Sequence, residues 1–518
     1  MLLRTIVRFT QILTVLLMYA VLAGCGASSA TSAGVHVVAA TGDPAPGLPD
    51  GYLFEGIDPN YTMGASGLVL FSGSANIERG SASDRKRVLW FGEPGALEPV
   101  VTVGQPIPGA EDALVADFSP LPRIVTEDGT AAFVVRPSIY PQGYLPQSLL
   151  AYHDGALRKV IANGDTVPTP EGDGRLLTIS QFVITDAGLL LMGTYARRKT
   201  ALWFWDFSTL ELVIAEGTEV SIGDFACKIR SLESTTLDMN QAGFAIFRAS
   251  MFGNNCRYGG LVGWDRKSGT HLAVSMNREP VAAGSSDFFR STSGDARVSD
   301  DGQIALHAII YRNEGQALTR SVTMLQTIAG GPSIELIHKA TPIDDAPDLK
   351  MTHALHSGGM APLGDGALVH FVRNHHDRII LRTTLDGQAE HSLVAHAGTT
   401  LDESVAARIG NAASNRDGDT VFASFIDDDK PGGKYQQQVW LSTRKGALTR
   451  LAYAGLAVVD RDGAIIERIE MSNQSHEPTM VSTQGGRSRT IADNGSVLFG
   501  GRIQEASRTS NALFVAKF

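Results

Sequence analysis

The chain has 518 residues and a formal net charge of −10 at neutral pH. That acidic balance argues against a nucleic-acid partner and against direct adhesion to anionic lipid. Charged residues are 19% and glycine contributes 55 copies, a mixture that suits many short strands joined by turns.

The first element is an address. Arg4 and Arg8 precede an apolar run over residues 12–24, with no acid before it. The run is shorter than the ~20 residues that a bilayer core requires. A basic start, a short apolar core and small residues at its end describe a secretory signal. It closes on Leu22-Ala23-Gly24-Cys25, which resembles the lipobox of bacterial lipoproteins. The resemblance implies cleavage before Cys25 and acylation of that cysteine; an ordinary signal peptide with an incidental cysteine is the alternative. Gly26 follows, and the absence of aspartate there is similar to the outer-membrane-sorted class of Gram-negative lipoproteins. Several acyl chains on one residue give stable anchoring where one would not. Residues 26–34 are small and polar and read as a flexible tether. The expected division is a signal peptide at 1–24, a lipidated tether at 25–34, and a single domain at 35–518.

That domain is built from repeats. An apolar strand ending in a turn recurs as VVAATG, VVTVG, VIANG, LVIAEG, LAVSMN, LIHKAT, LVAHAG and LAYAG, at a mean spacing of about 59 residues. A tight turn feeding a second strand recurs as ASGLVLFSG, EDGTAAFVV, DAGLLLMGT, QAGFAIFRA, DDGQIALHA, GDGALVHFV, RDGDTVFAS and DNGSVLFGG. Turns of this kind need positive φ, which glycine supplies. A third strand reads RVLWFG, SLLAYH, ALWFWD, GLVGWD, QVWLST and ALFVAKF. We name the strand before the glycine turn A, the one after it B, the third C, and the VVAATG-like one D.

Four strands in about 59 residues is the size of a propeller blade with generous loops. The expected fold is therefore an all-β propeller of eight four-stranded blades, with seven as the alternative. The first D strand has no A–B–C set before it, and the last set has no D strand after it. The N-terminal strand is thus expected to complete the last blade and hide two sheet edges. The stretch 464–486 is irregular, either a long insertion or a disguised strand.

The motif Gly42-Asp43-Pro44-Ala45-Pro46-Gly47, with Asn240-Gln241-Ala242-Gly243-Phe244-Ala245-Ile246-Phe247, resembles a largely uncharacterised family of exported bacterial repeat proteins. That family's hallmarks are G-D-x-A-P-G and N-x-x-G-x-V-A-F, and it implies no activity. Residues 298–305 are similar to the propeller repeats of the Tol-Pal translocation system. Those repeats run nearer 40 residues, so the likeness is one of hairpin chemistry.

Strand direction alternates within a blade, so A–B and C–D turns share one face, and B–C and D–A loops share the other. The A–B turns are tight, and the long stretches fall in B–C loops (73–86, 135–147, 249–260, 309–320, 424–437) and D–A loops. Loops on a rigid scaffold are where binding usually resides. The tether is expected to enter on the short-turn face, which leaves the long-loop face pointing away from the membrane. Cys227, placed in a D–A loop, and Cys256, in the next B–C loop, form an even pair in an oxidising compartment and are expected to bridge.

Chemistry-bearing residues are sparse. Seven of the 13 histidines lie between 353 and 396: His353, His356, His370, His375, His376, His391 and His396. His353 and His356 point oppositely on an extended strand, and His375-His376 reads as a solvated hairpin tip. The acids at Glu127-Asp128, Asp300-Asp301 and Asp417 read as turn residues, with Asp427-Asp428-Asp429 the least bland case; EF-hand spacing is absent. No nucleophile elbow occurs. The polar candidates near the A strands, which would line a channel, are Glu55, Asp58, Arg123, Glu233, Arg297, His356 and Arg489. The five tryptophans fall in C strands and read as inter-blade packing. The sequence calls for no metal or cofactor. Its leading reading is a non-enzymatic, lipid-anchored cell-envelope module that binds a protein or an envelope glycan. A propeller hydrolase or lyase with its site at the channel mouth is the runner-up, and a passive envelope component the third.

Overall fold

The computed structural model describes residues 34–518 apart from a number of stretches, the longer being 140–146, 254–258, 313–318, 339–360, 363–367, 427–435, 460–464 and 471–489. Among the described residues the only helical pieces are single 3-10 turns at Ala82–Asp84 and Ala196–Arg198. The strands there fall into eight hydrogen-bonded sheets that follow one another along the chain. Sheet 1 consists of Tyr52–Met63, Val69–Ile77, Lys86–Glu93 and Ala96–Thr102, the A, B, C and D strands, each antiparallel to the next. Sheets 2 to 7 span 106–162, 166–215, 219–276, 287–338, 361–395 and 400–452, and sheet 8 takes 457–517.

Sheets 1 to 6 touch in succession through their A strands. Tyr52–Met63 meets Ile124–Val125 of sheet 2, which meets Gly172–Thr185 of sheet 3; that strand meets Phe225–Met239 of sheet 4, which meets Asp287–Val298 of sheet 5. Asp287–Val298 meets Ala361–Pro362 of sheet 6, and Asp377–Asp386 of sheet 6 meets Ser404–Ser414 of sheet 7. Ser496–Gln504 of sheet 8 returns to Tyr52–Met63. A series of twisted sheets that ends beside its own beginning is a β-propeller.

The N-terminal strand closes the ring as expected. Gly34–Ala40 lies antiparallel to Thr509–Lys517, with Gly34 opposite Lys517 and Ala40 opposite Ala512. Its two faces serve two different cores. Val35, Val37 and Ala40 pack in the cluster that holds Trp440 and Leu451 of sheet 7, whereas Val38 and Ala39 pack with Phe54 and Trp90 of sheet 1. The strand begins at the short-turn face: Gly34 pairs beside the C-terminus, and the A–B turn glycine Gly495 lies against Phe518.

Blade size departs from the expectation. Short strands at Pro106–Ile107, Thr166–Thr169, Glu219–Ile222 and Thr400–Leu401 fold back as hairpins on their A strands, so several sheets exceed four strands. The D–A connections are therefore partly ordered sheet. The cause is the glycine that follows five of the D strands. Gly42, Gly104, Gly164, Gly217 and Gly398 all have φ between +88° and +103°. Their N–H groups donate to the carbonyls of Phe54, Val115, Leu176, Ile229 and Ala406, which turns the chain back onto strand A. The next side chain caps the end of D: Asp43 Oδ2 accepts from the Ala40 N–H at 3.2 Å, Gln105 Oε1 from Thr102 at 3.1 Å and Asp165 Oδ2 from Ala162 at 2.8 Å. A proline carbonyl then accepts from a C-strand indole, Trp90 Nε1 to Pro46 at 3.1 Å and Trp203 Nε1 to Pro168 at 2.8 Å.

Two further expectations need adjusting. Cys227 sits within the strand Phe225–Met239, opposite Val220, and not in a loop, because the hairpin just described extends strand A. In the stretch 464–486, Ile465–Glu470 is a strand paired to Ser496–Gln504, so the disguised-strand reading holds there; residues 471–486 lie outside the described residues. Trp90, Trp203, Trp205, Trp264 and Trp440 are all buried on C strands, as inter-blade packing requires.

Candidate functional site

The A strands do not run straight through the ring. Their pairing with strand B shifts register between Ile57 and Tyr61, between Glu233 and Leu237, between Thr292 and Ala296, and between Ile409 and Ala412. In sheet 2 the A strand splits into Ala110–Phe118 and Ile124–Val125. Bulges of this kind re-aim side chains. In sheet 1 the bulge is Asp58-Pro59-Asn60, where Pro59 has no N–H to give to the ladder.

Around that bulge the structure gathers a polar cluster between sheets 1 and 2. Asp58 accepts from Ser72 Oγ and from Arg87 Nη2, the latter at 2.9 Å. The other branch of Arg87 pairs with Asp117 of sheet 2. Arg123 reaches across from sheet 2 and donates to the Asn60 carbonyl and, at 2.8 Å, to Ser72 Oγ. Its guanidinium and that of Arg87 both lie over the Phe118 ring. Arg123 is 7% exposed. Burial pushes its pKa down to about 10, and the nearby Asp58 opposes that fall, so it remains a cation at neutral pH.

On its other side the bulge borders a cleft of about 170 Å³ at the seam of sheets 8 and 1. Asp58, Pro59 and Tyr61 form one wall; Gly500, Arg502 and Asn511 form the other. Tyr61 Oη fixes the seam by accepting from the Gly500 N–H at 2.8 Å. A β-carbon at Gly500 would meet that oxygen at 3.3 Å, so the close approach depends on glycine. Arg502 is half-buried, and among the described residues no ion pair holds it. The cleft thus offers a guanidinium and an amide facing a carboxylate that is already paired, an arrangement that receives acceptor-rich groups.

The other candidates do not converge there. Glu55 pairs with Arg85 at 2.7 Å, both substantially exposed. Glu233 pairs with Arg248 at 3.3 Å in sheet 4. Arg297 is buried in sheet 5 and donates to the Ala296 carbonyl at 2.8 Å. His356 and Arg489 lie outside the described residues, as do His353, His375, His376, Cys256 and Asp427 to Asp429. Of the remaining histidines, His391 is buried against Thr383 at 3.0 Å. Among the described residues no group of three or more His, Cys, Asp or Glu is arranged to hold a metal ion. Asp58 and Arg123 are therefore the two candidates brought together. Arg87, Asp117, Arg502 and Asn511 were missed, because their distances along the chain carry no motif and only ring closure brings sheet 8 against sheet 1.

Residues 22–190 match a family described as a family of unknown function (DUF7453). No curated protein matches the chain. Among solved structures the chain is similar to PorZ of Porphyromonas gingivalis, described as an essential bacterial surface component of the type-IX secretion system. That match has 11% identity over 87% of this chain and 68% of that one, with a TM-score of 0.34. It is also similar to the polysaccharide lyase Uly1, at 12% identity over 79% and 90% of the two chains and a TM-score of 0.35. A further match is the Dos1 propeller, at 9% identity over 90% and 97%, with a TM-score of 0.33.

Proposed function

We propose that the protein is a lipid-anchored envelope propeller that works as a binding module, and that the cleft between sheets 8 and 1 takes the carboxylate or hydroxyl groups of an envelope glycan. The observation that carries this reading is Arg502. It stands in the cleft without an ion-pair partner among the described residues, whereas Arg87 and Arg123 at the same bulge, and Arg248 beside the bulge of sheet 4, are all engaged. The hydrolase or lyase alternative asks for an uncommitted acid, and Asp58 is spent on Ser72 and Arg87.

The test is a thermal-shift panel of neutral and uronic-acid oligosaccharides and peptidoglycan fragments on the full-length protein. A ligand at a hundredfold its Kd adds about 2.7 kcal/mol of stability. We expect an acidic glycan to raise the midpoint, and Arg502→Ala to weaken its binding roughly tenfold or more without moving the midpoint of the free protein. A wild type unmoved by every glycan overturns this reading of the cleft.

The anchor and the bridge belong to the same proposal. The ladder places Lys228 opposite Phe252, next to the buried Cys227 and four residues before Cys256 in the sequence, which supports a Cys227–Cys256 disulfide. Mass spectrometry of protein extracted from membranes is expected to show an N-terminal peptide beginning at acylated Cys25. It is also expected to show one peptide pair joined through Cys227 and Cys256. An unmodified Cys25, or both other thiols free to alkylating reagent, would remove the corresponding part.

A further inference from the structure

Each A–B turn carries, two places before its glycine, a residue at the rim of the short-turn end. In the described turns these are Ala65, Glu127, Asp186, Gln241, Asp300, Arg416 and Asp493. Neighbouring turns are stitched head to tail through them. The Asp186 N–H donates to Gln241 Oε1 at 2.9 Å and the Gln241 N–H to Asp300 Oδ1 at 2.8 Å. The Arg416 N–H donates to Asp493 Oδ1 at 3.0 Å, and the Asp493 N–H to the Ala65 carbonyl at 3.0 Å.

The Arg416 side chain breaks this neighbour-to-neighbour rule. Its Nη2 donates to Glu127 Oε1 of sheet 2 at 2.7 Å and to Asp300 Oδ2 of sheet 5 at 2.6 Å, and its Nε lies 3.9 Å from Asp493 Oδ2 of sheet 8. Sheets 2, 5 and 7 are not neighbours in the ring. One planar group can touch all of them only if it lies near the axis. Burial opposes the charge, but Asp300, Glu127 and Asp493 together hold the pKa of Arg416 above its ordinary value.

We propose that the short-turn end of the channel is a guanidinium site: a cradle of carboxylates from three sheets, filled by the chain's own Arg416, which clasps non-neighbouring sheets and shuts that end. The forked geometry of the group is essential. A guanidinium offers donors in several directions within one plane, and a lysine ammonium cannot match two acids and reach a third in the same way. Without that guanidinium, Glu127, Asp300 and Asp493 lose the group that joins them across the mouth. The proposal is independent of the cleft at sheets 8 and 1, since Arg416 touches none of its lining.

Hydrogen exchange on the full-length protein tests it. In Arg416→Ala, amides of the turns at 127–130 and 300–303 should exchange roughly tenfold faster or more. Sub-denaturing guanidinium chloride should restore their protection, while urea at the same concentration should not. Arg416→Lys should protect partially and gain nothing from guanidinium. Should Arg416→Ala fail to fold, Glu127→Gln gives the same reading more gently, with faster exchange at 127–130 and retained protection at 300–303. Unchanged exchange at those turns, or equal effects of guanidinium and urea, would overturn the clasp.

Discussion

A chain beginning at residue 42 is expected to lose its closed, monomeric form. The strand Gly34–Ala40 pairs with Thr509–Lys517 on one side and, through His36 and Val459, with Ala457–Val459 on the other, and it is the seal between sheets 7 and 1. Val35, Val37 and Val38 are all buried, Val38 completely. Burying a valine contributes roughly 1.5–3 kcal/mol, and a domain's whole margin is about 5–15 kcal/mol. Removal also uncovers the backbone of Thr509–Lys517, a free edge that invites pairing with a second chain. We expect the truncated protein to elute as oligomers, to bind a hydrophobic dye and to unfold without a sharp transition. A synthetic peptide of residues 34–41, added in trans, should restore a monomer. A truncated chain that stays monomeric with the wild-type midpoint would show that the ring does not depend on this strand.

The offset between D strands and A–B–C sets predicted that closure, because the count of turns survives even where individual copies are degraded. The recurring apolar runs and the recurring glycine also located most strands and the burial of all five tryptophans. What the spacing left out was the hairpin in several D–A connections. Its signal was present in the Gly-Asp-x motif, but its meaning lies in a long-range bond. Gly42 turns the chain so that its N–H meets Phe54 at 2.8 Å, and a loop reading has no reason to expect that partner.

The site was legible only in part. Asp58 and Arg123 were singled out for standing near the A strands, and the bulges do bring them together. Their working partners were not, since Arg87 and Asp117 lie on a C strand and on the next blade, at separations fixed by loop lengths. Arg416 is the more instructive omission. Read singly, its turn is one more acidic hairpin. Read down the column of residues two places before the turn glycine, Glu127, Asp186, Asp300 and Asp493 surround one arginine, and that reversal of sign was the available clue.

Replacing Trp203 by alanine is expected to cost about 3–5 kcal/mol, the usual range for deleting a fully buried aromatic. Trp203 is 0% exposed, packs edge-on against Tyr195, and sits in a cluster with Phe182 and Leu191. Two contributions can be separated. Trp203→Phe keeps an aromatic ring but leaves the Pro168 carbonyl without its indole donor, at a cost of about 1 kcal/mol. The remainder is cavity and lost contact. The same pairing of C-strand indole and D–A proline holds Trp90 to Pro46 in sheet 1, so Trp90→Phe should show a similar cost if the proline carbonyl is the partner that matters. Phe252→Ala is the control, because that ring is 50% exposed and its loss should stay within about 0.5 kcal/mol. Urea midpoints of the four variants measure all of this. A Trp203→Phe variant as unstable as Trp203→Ala would mean that the hydrogen bond, and not the packing between sheets, fixes the loop to the blade.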